Sequence, residues 1–179
     1  MIDECKPKRL LEVGVWNGAN AIRMIRQAQK HHQPNEIEYI GYDLFEDATA
    51  EIDAKEFNVK RHNQVRAVQA EICAGAPWSS VLLVKGDTKD TLSDGMTRDF
   101  AFIDGGHSIE TIASDYARLK NCPVIVLDDY YTSDGVGCPD TSKFGCNTLL
   151  KELGRPFNIL PIKDPVKGGG FTQLALICQ

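Results

Sequence analysis

Two short apolar segments of the sequence end abruptly in acidic residues. Phe100–Ile103 runs into Asp104, and residues 124–127 run into the pair Asp128 and Asp129. Apolar runs of this length predict strands buried on both faces, and in open α/β sheets ligands bind beyond the carboxyl ends of the strands. Three carboxylates gathered there would repel one another unless a positive charge lay between them. A hard divalent cation, which prefers oxygen ligands, would supply that charge. The spacing therefore predicts a metal-binding chemical site, with Mg²⁺ or a similar ion as the candidate.

The composition is that of a single globular domain. The chain has 179 residues, of which 42% are hydrophobic and 25% charged, and we expect one domain over residues 1–179. No apolar run approaches the roughly 20 residues that span a bilayer, and the N-terminus lacks the apolar core of a signal peptide. We therefore expect a cytoplasmic protein that does not interact with membranes. The net charge of −5 and the lack of a basic stripe argue against nucleic acid as the main partner.

The six cysteines are scattered, without the paired spacing of a structural zinc site. Cys138 and Cys146 flank one loop, and the sequence leaves open whether they pair.

Apolar strand patterns alternate with helical patterns along the chain. This alternation predicts an α/β fold of the Rossmann-like, doubly wound type. The last two predicted strands, residues 157–162 and 172–177, are joined by a link too short for a crossover helix, so we expect them to be antiparallel.

A glycine turn follows the first predicted strand. Glu12, Gly14 and Gly18 stand at the spacing E-x-G-x-x-x-G, where glycine lets backbone approach a ligand and the next helix presents its N-terminus. Trp16 takes the place of the middle glycine of a dinucleotide fingerprint, and no phosphate-loop lysine follows. A purely structural turn remains an open alternative for this motif.

Two further acids end the second and third predicted strands. Asp43 is placed to accept hydrogen bonds from ribose hydroxyls, and Asp87 to meet an adenine amino group. Together with the glycine turn they predict a nucleoside-containing ligand.

In this order the motifs resemble the class I S-adenosylmethionine-dependent methyltransferases, and most closely the macrocin- and catechol-type O-methyltransferases. The motifs are Leu11-Glu-Val-Gly-Val-Trp-Asn-Gly18, Gly41-Tyr-Asp43, Lys85-Gly-Asp-Thr88, Phe102-Ile-Asp-Gly-Gly-His107 and Val126-Leu-Asp-Asp129. The resemblance implies a seven-stranded, mostly parallel sheet with an antiparallel strand in a C-terminal hairpin. It also implies S-adenosylmethionine as the cofactor, bound by Glu12, Gly14, Trp16, Gly18, Asp43, Leu44, Asp87, Thr88 and Asp104.

The same resemblance implies that Asp104, Asp128 and Asp129 bind a divalent metal ion. Methyl transfer needs an aligned acceptor whose hydroxyl has become nucleophilic, and a bound cation lowers the pKa of that hydroxyl. His107 stands where the catechol-type enzymes have a lysine base, and imidazole accepts a proton near neutral pH. We therefore assign His107 and Asp104 as candidate catalytic residues. A structural or surface role for His107, and solvated loop acids at Asp128 and Asp129, stay open.

The predicted acceptor is the hydroxyl group of a small molecule or sugar. We expect the polar segments 45–63 and 132–143 to shape its pocket as lids. Related enzymes often add N-terminal helices around this pocket; here we expect either an open pocket or one completed in a homodimer. The alternative functions are a cofactor-binding accessory protein without transfer activity, a nicotinamide-dependent oxidoreductase and, less in keeping with the negative charge, a nucleic-acid methyltransferase.

Overall fold

The computed structural model describes residues 1–58, 60–132, 141, 144–166 and 169–179. In these ranges the strands are β1 (Arg9–Val13), β2 (Glu38–Asp43), β3 (Ser80–Lys85), β4 (Phe100–Ile103), β5 (Val124–Thr132), β6 (Asn158–Ile159), β7 (Asp164–Pro165) and β8 (Phe171–Cys178). The helices are α1 (Ile2–Cys5), α2 (Ala19–Ala28), α3 (Ala50–Lys55), α4 (Val65–Gly75), α5 (Thr88–Thr91), α6 (Ile109–Leu119) and α7 (Gly145–Glu152), with short 3₁₀ turns at Pro34–Glu36 and Phe45–Asp47.

All of these strands belong to one sheet with the order β3-β2-β1-β4-β5-β8-β6, and β7 also pairs with β8. The first five strands of that order are parallel, whereas β8 is antiparallel to β5, β6 and β7. The strand order reverses between β1 and β4, which is the point where open α/β sheets bind ligands. The predicted Rossmann-like sheet with antiparallel C-terminal strands is confirmed.

Two apolar cores lie on opposite faces of this sheet. Successive residues of β1 point to opposite faces, and Leu10 and Leu11 are both fully buried, one in each core. Ile25 of α2 and Ile72 of α4 pack into the core with Leu10, while Leu119 of α6 packs into the core with Leu11. Strands covered on both sides explain the continuous apolar runs of the sequence.

Strand β5 does not end at Asp128 as predicted. It continues to Thr132, with a shift of its register against β8 between Leu127 and Tyr130. Asp129 has a φ of 56° at this irregularity. A bulge of this kind redirects side chains, so both acids belong to a deformed strand rather than to the loop that follows it.

The C-terminal strands pair as expected, but the predicted strand over residues 157–162 is shorter. β6 ends at Ile159, and Pro161 has no N–H to continue the ladder. The separate strand β7 pairs with the other end of β8. Within the described ranges, no helix is long and apolar enough to cross a membrane.

Candidate functional site

A cleft of about 600 Å³ opens at the carboxyl ends of the parallel strands. Asp43, at the end of β2, and Gly14, Asp87 and Asp104, in the turns after β1, β3 and β4, contribute to its lining. Much of the rest comes from the segment between β2 and α4. A cleft of this size and position suits a ligand as large as a nucleoside.

The turn after β1 lies directly against the turn after β4. Gly14 has a φ of 88°, and a Cβ atom there would lie 1.9 Å from the Asp104 carbonyl oxygen. The Gly14 N–H donates to the Tyr42 carbonyl at 2.8 Å, and the Asp104 N–H donates to the Val13 carbonyl at 2.8 Å. Only glycine fits here, so the first glycine of the motif brings two ligand-facing turns together.

The Asp43 carboxylate is fixed by two backbone donors. Its Oδ2 accepts from the Trp16 N–H and its Oδ1 from the Phe45 N–H, both at 2.8 Å. The Trp16 indole N–H in turn donates to the Arg61 carbonyl at 3.0 Å. A carboxylate oxygen accepts more than one hydrogen bond, so Asp43 retains capacity for ligand hydroxyls.

The structure brings most of the predicted cofactor-binding residues together. Those that line the cleft are Gly14, Trp16, Asp43, Leu44, Asp87, Thr88 and Asp104, and the cleft also reaches His107 and Asp128. Asp87 additionally caps α5, because its Oδ1 accepts from the Lys89 N–H at 2.9 Å.

Glu12 and Gly18 lie behind the cleft lining instead. Glu12 is fully buried, and one of its oxygens accepts the hydroxyl proton of Tyr39. Burial raises the pKa of Glu12 to about 8. A Cβ atom on Gly18 would lie 2.7 Å from a side-chain carbon of Ile72, so this glycine lets α2 approach α4.

Asp104 and Asp128 form a pair of half-buried carboxyl groups in the cleft lining. Burial and then the neighbouring Asp128 raise the pKa of Asp104 to about 9. Burial, followed by the charge of Asp129, also raises the pKa of Asp128. Two neighbouring carboxylates that have lost part of their water resist ionising together, which favours a shared proton or a bound cation at this pair.

Asp129 is engaged with the histidine rather than with that pair. Its Oδ2 lies 2.9 Å from His107 Nδ1, and both side chains are about one-quarter exposed. In the described part of the chain, no three His, Cys, Asp or Glu side chains are grouped so that they could hold one metal ion. The predicted site with Asp104, Asp128 and Asp129 as joint ligands is therefore not confirmed.

Glu56 connects the segment between β2 and α4 to α6, a role that no sequence motif around it indicates. One Glu56 oxygen accepts from the Ser108 N–H at 2.8 Å, and the other accepts from the hydroxyls of Ser108 at 2.9 Å and Thr111 at 2.7 Å. Ser108 caps α6, as its position predicts. The first predicted lid segment thus forms a wall of the cleft that is anchored beside His107.

Most of the second predicted lid, residues 133–140 and 142–143, lies outside the described residues. Cys138 is among them, whereas Cys146 is a buried free cysteine.

Asp115 is a cleft residue that the sequence prediction missed. It lies on α6 at the helical spacing of Ile112 and Leu119, which are both buried. The signal in the sequence is an acidic residue on the apolar face of a predicted helix. Because burying a carboxylate is costly, such a residue indicates a special role.

Comparison with known proteins agrees with this arrangement. A family model described as a methyltransferase domain matches residues 11–130. No curated protein matches the sequence. Among solved structures, cofactor-bound Rv0187 from MTB is 21% identical with a TM-score of 0.63, and the alignment covers 97% of this chain and 74% of that one.

Two solved O-methyltransferases are also similar in fold. NovP is 20% identical with a TM-score of 0.64, covering 96% of this chain and 74% of its own. TomG from Streptomyces achromogenes, solved with S-adenosylmethionine, is 18% identical with a TM-score of 0.58, covering 99% and 76%. The family match, the strand order and the cleft define a class I S-adenosylmethionine-dependent methyltransferase. The chain belongs to the methyltransferase-domain family that this model represents.

Proposed function

We propose that this protein transfers the methyl group of S-adenosylmethionine to a hydroxyl oxygen of a small molecule, with assistance from a divalent cation. The observation that carries the proposal is the pairing of His107 with Asp129 beside the half-buried carboxyls of Asp104 and Asp128. It supplies a proton acceptor and a cation-binding pair at one end of a nucleoside-sized cleft.

The cofactor end of the cleft is built by the turns after β1 and β2. Asp43 is held by two N–H groups in an orientation suited to ribose hydroxyls, and Leu44 supplies an apolar surface next to it. Because Gly14 has no side chain, its backbone packs directly against the turn that contains Asp104. We propose that these residues bind the cofactor, with Trp16, Asp87 and Thr88 completing the site.

Asp104 and Asp128 suit a divalent cation because both are half-buried oxygen donors in the cleft lining, and Asp128 raises the cost of ionising Asp104. A cation bound there would orient the acceptor hydroxyl and lower its pKa. Asp129 would act through His107 in this arrangement. The donor chemistry of the site therefore fits the expected metal.

His107 is the proposed base. When Nδ1–H donates to Asp129, the second ring nitrogen is left without a proton and is free to take one from the acceptor hydroxyl. Gly105 and Gly106 precede His107 and line the same cleft. A Cβ atom on Gly106 would lie 2.5 Å from a Glu56 oxygen, so glycine lets the turn that carries the base pack against Glu56.

Aromatic rings beside this end of the cleft support a small-molecule acceptor. Phe144 stacks on Tyr131 with ring centroids 3.8 Å apart, and Phe57 lies 6.0 Å from Phe144. Tyr131 and Phe144 share a small cavity with His107 and Asp129. Such a wall favours an acceptor with an apolar or planar face next to its hydroxyl group.

Incubation with methyl-labelled S-adenosylmethionine and separate panels of phenols, catechols and sugars tests the function. We expect labelled ether products that require Mg²⁺ or Mn²⁺ and that decrease in His107→Ala. Labelled product that is insensitive to chelator would remove the metal from the mechanism. Tight cofactor binding without any product across the panels would instead favour an accessory role.

A further inference from the structure

The proposed base, His107, stands at the end of a turn that its own sequence does little to fix. Gly105 and Gly106 come directly before it, and glycine has more conformational freedom to lose on folding than any other residue. A catalytic group must be held closely, because a misplacement of about 1 Å can cost about 100-fold in rate. Contacts from outside the turn therefore have to fix the position of the imidazole.

Contacts from two other segments hold this turn. On one side the Gly145 N–H, at the start of α7, donates to the His107 carbonyl oxygen at 2.9 Å. On the other side Glu56, between β2 and α4, accepts from the N–H of Ser108, the next residue along the chain, at 2.8 Å. A Cβ atom on Gly106 would lie 2.5 Å from the same Glu56 oxygen, so the carboxylate also packs against the backbone that precedes the base.

The Glu56 carboxylate is itself firmly held. Its other oxygen accepts from the hydroxyls of Ser108 at 2.9 Å and Thr111 at 2.7 Å, and the residue is only 9% exposed. Burying a carboxylate is costly unless donors replace its water, and here three donors on one turn do so. Glu56 lines the cleft as well, but the engagement of both its oxygens favours a role through the turn over direct contact with a ligand.

Glu56 thus contacts the chain on both sides of His107. We propose that Glu56 is a positioning residue for methyl transfer: by holding Ser108 and the backbone of Gly106, it keeps the His107 imidazole aligned with Asp129. In that alignment Nδ1 lies 2.9 Å from the Asp129 carboxylate, and the second ring nitrogen can accept the proton. The inference rests on the proposed function, in which His107 takes the proton of the acceptor hydroxyl.

Three substitutions of Glu56 separate its reach from its charge. Glu56→Ala removes every contact, and Glu56→Asp keeps the charge but is one methylene too short to reach Ser108. Glu56→Gln keeps the length without the charge: its amide oxygen can accept from the Ser108 N–H, and its amino group can donate to the two hydroxyl oxygens. A positioning role therefore predicts that Gln, and not Asp, replaces Glu56.

Glu46→Ala is the matched control. Glu46 lies on the same segment between β2 and α4, but it accepts from the Val65 N–H at 2.9 Å and pairs with Lys85 at 3.3 Å. It therefore holds the same segment at a place away from the His107 turn. A general loosening of the segment predicts equal effects of Glu46→Ala and Glu56→Ala, whereas positioning of the base predicts an effect of Glu56→Ala alone.

Assays with labelled cofactor measure these effects. We expect Glu56→Ala and Glu56→Asp to lower kcat by about tenfold or more, with nearly unchanged affinity for S-adenosylhomocysteine, while Glu56→Gln and Glu46→Ala stay near wild type. In a His107→Ala background, Glu56→Ala should cause no further loss, because a residue that acts through the base has nothing left to position. A further loss of the same size in that background overturns the inference, as do equal losses in Glu56→Ala and Glu46→Ala.

A spectroscopic measurement tests the inference without turnover. Long-range nitrogen–proton NMR spectra at mildly alkaline pH show which ring nitrogen of a histidine carries the proton, and the signal missing in His107→Ala identifies this residue. We expect the Nδ1–H form in wild type and a loss of that preference in Glu56→Asp, but not in Glu46→Ala. An unchanged His107 tautomer in Glu56→Asp overturns the inference alone, whereas a wild-type protein that transfers no methyl group overturns the proposed function.

Discussion

His107 Nδ1 and Asp129 Oδ2 lie 2.9 Å apart, across two neighbouring parallel strands of the sheet. His107 follows β4, while Asp129 lies in the irregular part of β5 with a φ of 56°. A residue other than glycine in this left-handed region is strained, and such strain is concentrated at functional sites. The deformed strand thereby turns one carboxylate of an adjacent pair toward the histidine.

We expect Asp129→Asn to lower kcat by about tenfold or more, because the imidazole loses the acceptor that holds its tautomer. His107→Ala should cost about 100-fold or more, the usual contribution of a general base. Steady-state assays with labelled cofactor measure both effects, and calorimetry with S-adenosylhomocysteine should show unchanged cofactor affinity. Full activity of His107→Ala would show that another group takes the proton.

Asp128→Asn should abolish the response of the protein to divalent cations. Adding Mg²⁺ to chelator-treated wild type should raise its Tm, since an ion bound to the folded state alone stabilises it. The variant should show no such rise, while Asp129→Asn should keep it if Asp104 and Asp128 are the carboxylate ligands. Loss of the rise in Asp129→Asn would restore all three aspartates as ligands, and differential scanning fluorimetry distinguishes these results.

Much of the fold could be predicted because its signals are local. The apolar runs of β4 and β5, the acids that follow them and the Ser108 cap of α6 are each visible within a few residues. The predicted site residues converge because the carboxyl ends of parallel strands share one edge. The alternation of Leu10 and Leu11 between the two cores follows from the period of the strand.

The features that could not be predicted depend on contacts between distant segments. The turn of Asp129 toward His107 requires the irregular pairing of β5 with β8, more than 40 residues further along the chain. The role of Gly18 in packing is apparent only when α4 brings Ile72 against it. Asp115 differs from these, since its position at the helical spacing of Ile112 and Leu119 can be read from the sequence alone.

Gly14→Ala should be severely destabilising and should abolish cofactor binding. The new methyl group would lie 1.9 Å from the Asp104 carbonyl oxygen, so the turns after β1 and β4 would have to separate. We expect a loss of about 3 kcal/mol or more in the free energy of unfolding, measured by urea denaturation. Gly154→Ala is the control: its φ of 59° carries similar strain, but no atom lies within 4 Å of the new Cβ. Similar losses in both variants would show that the clash is relieved at little cost.

Glu12→Gln should change how stability depends on pH. Burial raises the pKa of Glu12 from 4.5 to about 8, so between these values the folded protein holds a proton that the unfolded chain has released. Stability from this group is therefore complete below pH 4.5 and is lost as the pH rises toward 8. The amide variant does not titrate, and its advantage over wild type should grow across that window to at most about 5 kcal/mol. Parallel curves of Tm against pH for the two proteins would contradict the raised pKa of Glu12.

Phe57→Ala should weaken acceptor binding and leave the cofactor site intact. Phe57 is about half exposed and lies 6.0 Å from Phe144 at a tilt of 56°, so its removal costs little folding energy but opens the aromatic wall beside His107. We expect KM for the acceptor identified in the panel assay to rise several-fold, with kcat at saturation and affinity for S-adenosylhomocysteine nearly unchanged. Trp78→Ala is the matched control: like Phe57, Trp78 is an exposed aromatic residue outside the cleft lining, but among the described residues it has no ring contact with Phe144. If KM is unchanged by Phe57→Ala, or raised equally by both substitutions, the aromatic wall has no part in acceptor recognition. That result would favour sugars over planar hydroxyl compounds as acceptors.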